Sequence, residues 1–190
     1  MISDALIFLK NHLNAALSLG GSPDESREDR VVFVDGEKID PLAFPLGAVS
    51  ALLINIEEET RLRPPDLYRR LAADGSTQQI QPEVRLNFYV LFVAHFKQYE
   101  DSLRALSQII QYFQNHRLLN HQNAPELSED IDHLVLELIT LPFGEQNEVW
   151  SALRTTYRPS VLYKVKMVIF QDQDAVTAPA ITERQLRTSL

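Results

Sequence analysis

EVRLNFYVLFVA (83–94), followed at once by HFKQYEDSLRALSQIIQYFQN (95–115), decides how this chain is read. The first stretch alternates: Val84, Leu86, Phe88, Val90 and Phe92 point one way, and Arg85, Asn87 and Tyr89 the other. Side chains on an extended chain project to opposite faces in turn. The segment therefore reads as a strand covered on one face at its start. Leu91 and Val93 interrupt the polar face later, so its end reads as buried on both sides. Over 97–115 the period changes, with Tyr99, Leu103, Leu106, Ile110 and Phe113 at the spacing of one helix face. A strand that runs directly into an amphipathic helix implies a sheet with a helix laid on it.

The rest of the chain extends this pattern in both directions. SVLYKVKMVIF (160–170) alternates Val161, Tyr163, Val165, Met167 and Ile169 against Leu162, Lys164, Lys166, Val168 and Phe170, and reads as a strand. IDHLVLELITL (131–141), ended by Pro142, is read as another, and a short helix is expected around Trp150 over 145–155. Upstream, AVSALLINI (48–56) is almost wholly apolar, as in a strand buried on both faces. Val31–Val34 is a short β-branched run followed by the turn signal Asp35-Gly36, so an antiparallel hairpin is expected over 31–56. Residues 3–19 carry Leu6, Leu9, Leu13, Ala16 and Leu17 on one helical face, with Ser3 as the expected N-cap and Gly20-Gly21 as the stop. Residues 20–30 are polar and turn-rich. Residues 57–82, with Pro64-Pro65, Gly75 and Pro82, read as one long connection. The expected fold class is α+β, with a mixed, mainly antiparallel sheet and helices packed on one face. One domain is expected over 1–170, with 171–190 a flexible or partner-docked extension.

Composition narrows the function. The chain has 190 residues, 45% of them hydrophobic and 23% charged, the balance of a chain able to bury a core. No apolar run approaches the ~20 residues of a membrane span, and the N-terminus MISDALIFLKNHL lacks the basic start of a signal peptide. There is no cysteine, hence no disulfide and no thiolate ligand or nucleophile. The net charge of −8 argues against duplex nucleic acid and against an anionic membrane as partners. The charge is uneven, net −7 over 21–60, +3 over 61–120 and −4 over 121–190. Patches of opposite sign suit a subunit that docks on copies of itself or on a charged partner, although a solvated surface explains charge blocks equally well.

The motifs of common catalytic chemistry are missing: no Gly-rich phosphate loop, no His-Glu-x-x-His and no nucleophile elbow. The five histidines, His12, His95, His116, His121 and His133, show no spacing that makes imidazoles converge on a metal. Glu57-Glu58-Glu59 follows an apolar strand, and on an extended chain only Glu57 and Glu59 share a side. A small carboxylate-dependent hydrolase built on them with a histidine is one reading. A solvated strand end, or an acidic edge that meets arginines of a neighbouring subunit, are the others. Trp150 with Arg154, Tyr157, Arg158 and Lys164 could stack nucleobases or anchor a protein contact. The plainer reading puts Trp150 in the core with the cations at its rim. Ser160 follows Pro159 at a strand start, an ordinary turn position.

Three stretches in order, INIEEET (54–60), VRLNFYVLFVAHFKQYEDSLRALSQIIQYFQ (84–114) and VWSALRTTYRPSVLYKVKMVIF (149–170), make the chain similar to a known family. It resembles the tail-cap, or tube-terminator, proteins of extracellular contractile injection systems of the antifeeding-prophage and virulence-cassette type, over about residues 2–170. The resemblance implies a phage tail-terminator-like α+β subunit, not an enzyme and without a cofactor or metal. It implies a homo-hexameric ring that ends the inner tube and holds the last sheath layer, with tube and sheath proteins as partners. Assembly would be cytoplasmic, followed by incorporation into the particle. Glu57, Glu58, Glu59, Arg61, Arg158, Ser160, Tyr163 and Lys164 are the positions it marks as candidate subunit or tube contacts, some of them expected to be fold residues. Tyr163 and Lys164 alternate, so one partner surface can meet only one of them. On this view the 57–82 connection and the tail after 171 are reaching elements that order on binding. A generic oligomeric interaction module is the remaining alternative.

Overall fold

The computed structural model describes residues 2–18, 30–35, 42–59, 69–71, 77–79, 85–169 and 176–177. Among these are three α-helices and nine β-strands: α1 (Ile2–Ser18), β1 (Val31–Phe33), β2 (Ala48–Glu58), β3 (Arg69–Leu71), β4 (Thr77–Gln79), β5 (Arg85–His95), α2 (Tyr99–Asn115), β6 (Leu118–Asn120), β7 (Ile131–Ile139), α3 (Phe143–Ala152), β8 (Ser160–Ile169) and β9 (Val176–Thr177). Six strands form one sheet in the order β1-β2-β5-β8-β7-β6, and β3-β4-β9 form a small second sheet. The α+β class with a mixed, mainly antiparallel sheet is the expected one: only β1–β2 is parallel in the main sheet.

The alternation of β5 has the consequence read from it. Phe88, Val90, Phe92 and Ala94 face a core completed by Leu9 and Leu13 of α1, by Leu106, Ile109 and Phe113 of α2, and by Leu134, Leu136, Val165 and Met167 of the neighbouring strands. Leu91 and Val93 face the other way, into a smaller cluster with Leu42, Phe44, Leu162 and Trp150. The two long helices thus share one face, as expected. The short α3 lies across the opposite face, because Val149, Trp150 and Leu153 are its apolar positions and the apolar half of that face is what they can cover.

Several local expectations are corrected. The hairpin over 31–56 is instead a parallel pair, Val31↔Val49 through Phe33↔Ala51. Parallel neighbours need a crossover, not a tight turn. Part of that crossover, Leu42 and Phe44, packs into the α3 cluster, while the Asp35-Gly36 turn lies partly outside the described residues. The Asn14 side chain fixes the start of β1: its amide donates to Val31 O at 2.8 Å and accepts from Val31 N–H at 2.7 Å. Ser3 sits inside the first turn of α1, where its hydroxyl donates to Asp4 at 3.3 Å, instead of capping it. The Gly20-Gly21 stop lies outside the described residues. β2 is buried only over Ala48–Ala51, and its last four residues are exposed. The 57–82 connection is not featureless: β3 pairs antiparallel with β4, and β9 from the chain's C-terminal part adds to β4. β6 is a strand that apolar periodicity does not announce, since it has three residues and only Leu119 is buried.

Candidate functional site

Among the described residues, α3 covers half the length of the main-sheet face on which it lies. Beyond the helix that face becomes polar, and a β-bulge decides which residues stand there. Leu53 pairs with Val90, but the next pairing is Asn55↔Tyr89, so Ile54 is the extra residue of the bulge. The insertion reverses the side-chain parity of the remaining strand. Asn55 and Glu57 therefore share a face with Tyr89 and Asn87, while Ile56 and Glu58 pair with the core-facing Phe88 and Leu86.

Two rows cross the strands on this face. In one, Asn55, Tyr89, Lys164 and Glu137 are in register; in the other, Glu57, Asn87 and Lys166. The Tyr89 hydroxyl donates to Glu57 Oε2 at 2.9 Å, and Asn55 Nδ2 reaches Glu57 Oε1 at 3.3 Å. Asn87 Nδ2 donates to Glu59 Oε2 at 3.1 Å. Lys166 Nζ donates to Glu137 Oε1 at 2.6 Å, and Lys164 Nζ lies 5.6 Å from the centre of the Tyr89 ring. Asn87 is buried, and its Oδ1 has no hydrogen-bond partner. Burial raises the Tyr89 pKa, and its bond to Glu57 and the nearby carboxylates of Glu59 and Glu137 raise it further. The face joins carboxylates, amides, a phenol and two lysines in one cross-strand network. It does not assemble an acid–base pair: Glu57 is exposed, and its partners are Tyr89 and Asn55.

The other sequence candidates fall in different places. Glu58 is exposed at the end of β2. Arg61 lies outside the described residues. Tyr163 is in the main core, edge-on to Phe92 and Phe113 at 6.0 and 4.9 Å between ring centres, where burial pushes its pKa up to about 12. Ser160 is half-buried at the start of β8, and Arg158, two residues before it, is half-buried with its Nε lacking a partner. These two lie at the opposite end of the sheet from Glu57–Glu59, because Val93 pairs with Ser160 whereas Asn87 pairs with Glu57. Of the candidates, Glu57, Glu59 and Lys164 are brought together. Trp150 is 5% exposed with Phe44 and Tyr157 against it, the core reading of that cluster.

The histidines are dispersed. His12 Nδ1 meets Glu126 Oε1 at 2.6 Å and its ring stacks on Phe8. His95 bonds Phe44 O at 2.8 Å, tying the crossover to β5, and His121 bonds Ile131 O at 2.9 Å. His116 stacks on Tyr112, and His133 meets Asp132 at 2.7 Å. Among the described residues no group of three or more histidine, aspartate and glutamate side chains is placed to hold a metal ion. Among them, too, no helix is long and apolar enough to cross a membrane.

Comparison with solved structures gives the same architecture. All of this chain superposes on 64% of a PVC sheath/tube terminator of an extracellular contractile injection system in its extended state, with a TM-score of 0.61 and 17% identity. A second likeness is to the anti-feeding prophage cap, a tube-terminating cap: 74% of this chain and 49% of that one, TM-score 0.50, 16% identity. The chain thus spans less than two thirds of either relative's length, and at these identities the likeness is one of fold. One relative is a sheath/tube terminator and the other a tube-terminating cap. No curated protein matches by sequence. The family model of the Pvc16 N-terminal domain matches residues 7–184, nearly the whole chain, and the protein belongs to the Pvc16 N-terminal domain family.

Proposed function

We propose that this protein is a structural cap that ends the inner tube of a phage-tail-like contractile injection particle. The observation that carries the reading is the superposition of the entire chain on a sheath/tube terminator, joined to membership of the family. In this reading the chain forms a homo-hexameric ring, seats on the last tube layer and holds the last sheath layer. It assembles in the cytoplasm before becoming part of the particle. Residues 1–170 are the terminator domain, and 171–190 a flexible or partner-docked extension, of which Val176–Thr177 add to β4 of the same chain. The contact positions are Glu57, Glu59 and Lys164 on the polar face, Glu58 at the end of β2, Arg158 and Ser160 at the other end of the sheet, and Arg61, which lies outside the described residues. Tyr163 serves the fold. Function here is complementarity of folded surfaces, with no bond made or broken.

The test is tube growth. Added to polymerising tube protein, the chain should bind tube ends and not tube sides, and it should shorten the length distribution as its concentration rises. Glu57→Lys with Glu59→Lys should weaken that effect, and the loss should depend on salt, because the contacts are charged. Tubes that grow to unchanged length with the chain in excess, with none of it at their ends, would overturn the proposal.

A further inference from the structure

The two ends of α3 are unlike, and they lie toward opposite edges of the main sheet. At its N-terminus, just after Pro142, Phe143 is 92% exposed, the most exposed large apolar side chain among the described residues. Glu145 is exposed beside it in the first turn. At its C-terminus, Ala152, Leu153 and Arg154 form one wall of an apolar pocket of about 640 Å³. Phe33, Leu42, Leu52 and Leu53 are among its other walls, and it opens on the edge of β2 where pairing with β1 ends at Phe33↔Ala51. Arg154, at the pocket's rim, is exposed and has a φ of 52°, so the chain leaves the helix sharply there.

A protruding benzyl group and an apolar pocket large enough for it thus stand at the two ends of one ten-residue helix. The helix is about 15 Å long and packed on the sheet, so Phe143 cannot fold back into the pocket of its own chain. Between copies the length of the helix sets no such limit, and the acid beside the knob and the cation beside the socket are of opposite sign. Unlike surfaces that match head to tail give a heterologous contact, which repeats from copy to copy and closes into a ring when the rotation permits.

We infer that Phe143 of one copy inserts into the pocket of the next copy bounded by Leu42, Leu52, Leu53 and Leu153, with Glu145 facing Arg154 of the neighbour. The inference deepens the ring proposed above and takes its closure from that reading. The contact itself is independent of any tube.

The experiment uses the full chain and two surface substitutions that leave the core intact. Phe143→Ala removes the knob, and Ala152→Trp, at an exposed position of the pocket wall, fills the socket. Each alone should weaken self-association roughly 30-fold, the effect of losing an interface anchor. Mixed together they should give a two-chain complex and nothing larger, since only one competent knob and one competent socket remain. Light scattering on a sizing column reads both results. The absence of native cysteine gives a second readout. Glu145→Cys combined with Arg154→Cys, which keeps knob and socket intact, should form between-chain disulfide ladders in solution or on tube ends, and cannot bridge within one chain, because the two positions stand at opposite ends of α3. Phe143→Ala that associates like the parent, a mixture that stays monomeric, or the lack of a ladder in both settings would each overturn the inference. Two-chain complexes from the mixture together with tubes that ignore the chain would leave this contact standing and remove the cap reading instead.

Discussion

The Tyr89 hydroxyl donates to Glu57 across a register that exists because Ile54 is bulged out of β2. Without the bulge, Glu57 would take the parity of Leu53 and turn its carboxylate to the side of α1 and α2. The bulge therefore serves the polar face and not the core.

Two variants test this role. Tyr89→Phe should cost about 1 kcal/mol, the net worth of one hydrogen bond to a charged and exposed acceptor. Deleting Ile54 should cost about 1–2 kcal/mol in lost apolar contact and leave the Asn55↔Tyr89 pairing in place, since an unpaired residue is what is removed. Inserting one alanine between Asn55 and Ile56 should be clearly worse than the deletion, because it sends Glu57 to the other face. Urea unfolding ranks the three, and a deletion as damaging as the insertion would show that the bulge does not set the register.

Asn14 acts as a strand segment supplied by a helix. It satisfies both the N–H and the C=O of Val31, which is fully buried. Asn14→Ala should leave two partly buried backbone groups unpaired and cost about 2–4 kcal/mol. Asn14→Asp keeps the acceptor and loses the donor, and should fall between. Loss of amide protection at Val31 in hydrogen exchange should accompany the alanine variant. Unchanged protection would show that pairing with β2 alone holds the strand.

Tyr163 makes the alkaline limb of stability steep. Its pKa is raised from 10.0 to about 12 by burial, so the unfolded chain gives up this proton first as pH rises. The stabilisation is whole below pH 10 and is lost as pH climbs through about 12. Over that window one proton is worth about 1.4 kcal/mol per pH unit. Tyr163→Phe should flatten the fall by about that slope while leaving stability near pH 7 within about 1 kcal/mol, because no hydrogen bond of its hydroxyl contributes to the fold. An unaltered slope in denaturation runs between pH 10 and 12 would place the alkaline sensitivity elsewhere.

What could be read from sequence follows from how local each feature is. The strands at 85–95 and 160–169 and the long helices were legible because alternation and helical spacing survive wherever one face is buried. For the same reason the separation of Lys164 from Tyr163 was legible, and so was the shared side of Glu57 and Glu59. The direction of β1 was not. Val31–Phe33 is equally apolar in a hairpin or a crossover, and the choice rests on Asn14 and on where Leu42 and Phe44 pack. Nor was the bulge, since an extra isoleucine inside ALLINI changes no pattern of polarity. Nothing in the sequence separates Phe143 from a core aromatic, and only the course of α3 across the sheet leaves it outside.

His12 and Glu126 join α1 to the loop between β6 and β7, with the Tyr112 ring edge-on to His12 and the Phe8 ring stacked on it. The Glu126 pKa is lowered by a hydrogen bond from its own backbone N–H and then by the one to His12. A carboxylate held below its ordinary value adds stability above pH 4.5 that disappears as pH falls through the lower folded value. The effect is small because the Glu126 side chain is 54% exposed and water screens it, about 0.5 kcal/mol or less. Glu126→Gln should therefore shave the stability of the neutral range slightly and make the acid limb shallower below pH 4.5. His12→Ala should do more, since it also removes a ring packed between Phe8 and Tyr112. Thermal melts from pH 3 to 7 decide this. If Glu126→Gln lowers stability equally at pH 3 and pH 7, the carboxylate's charge is not what joins the loop to α1.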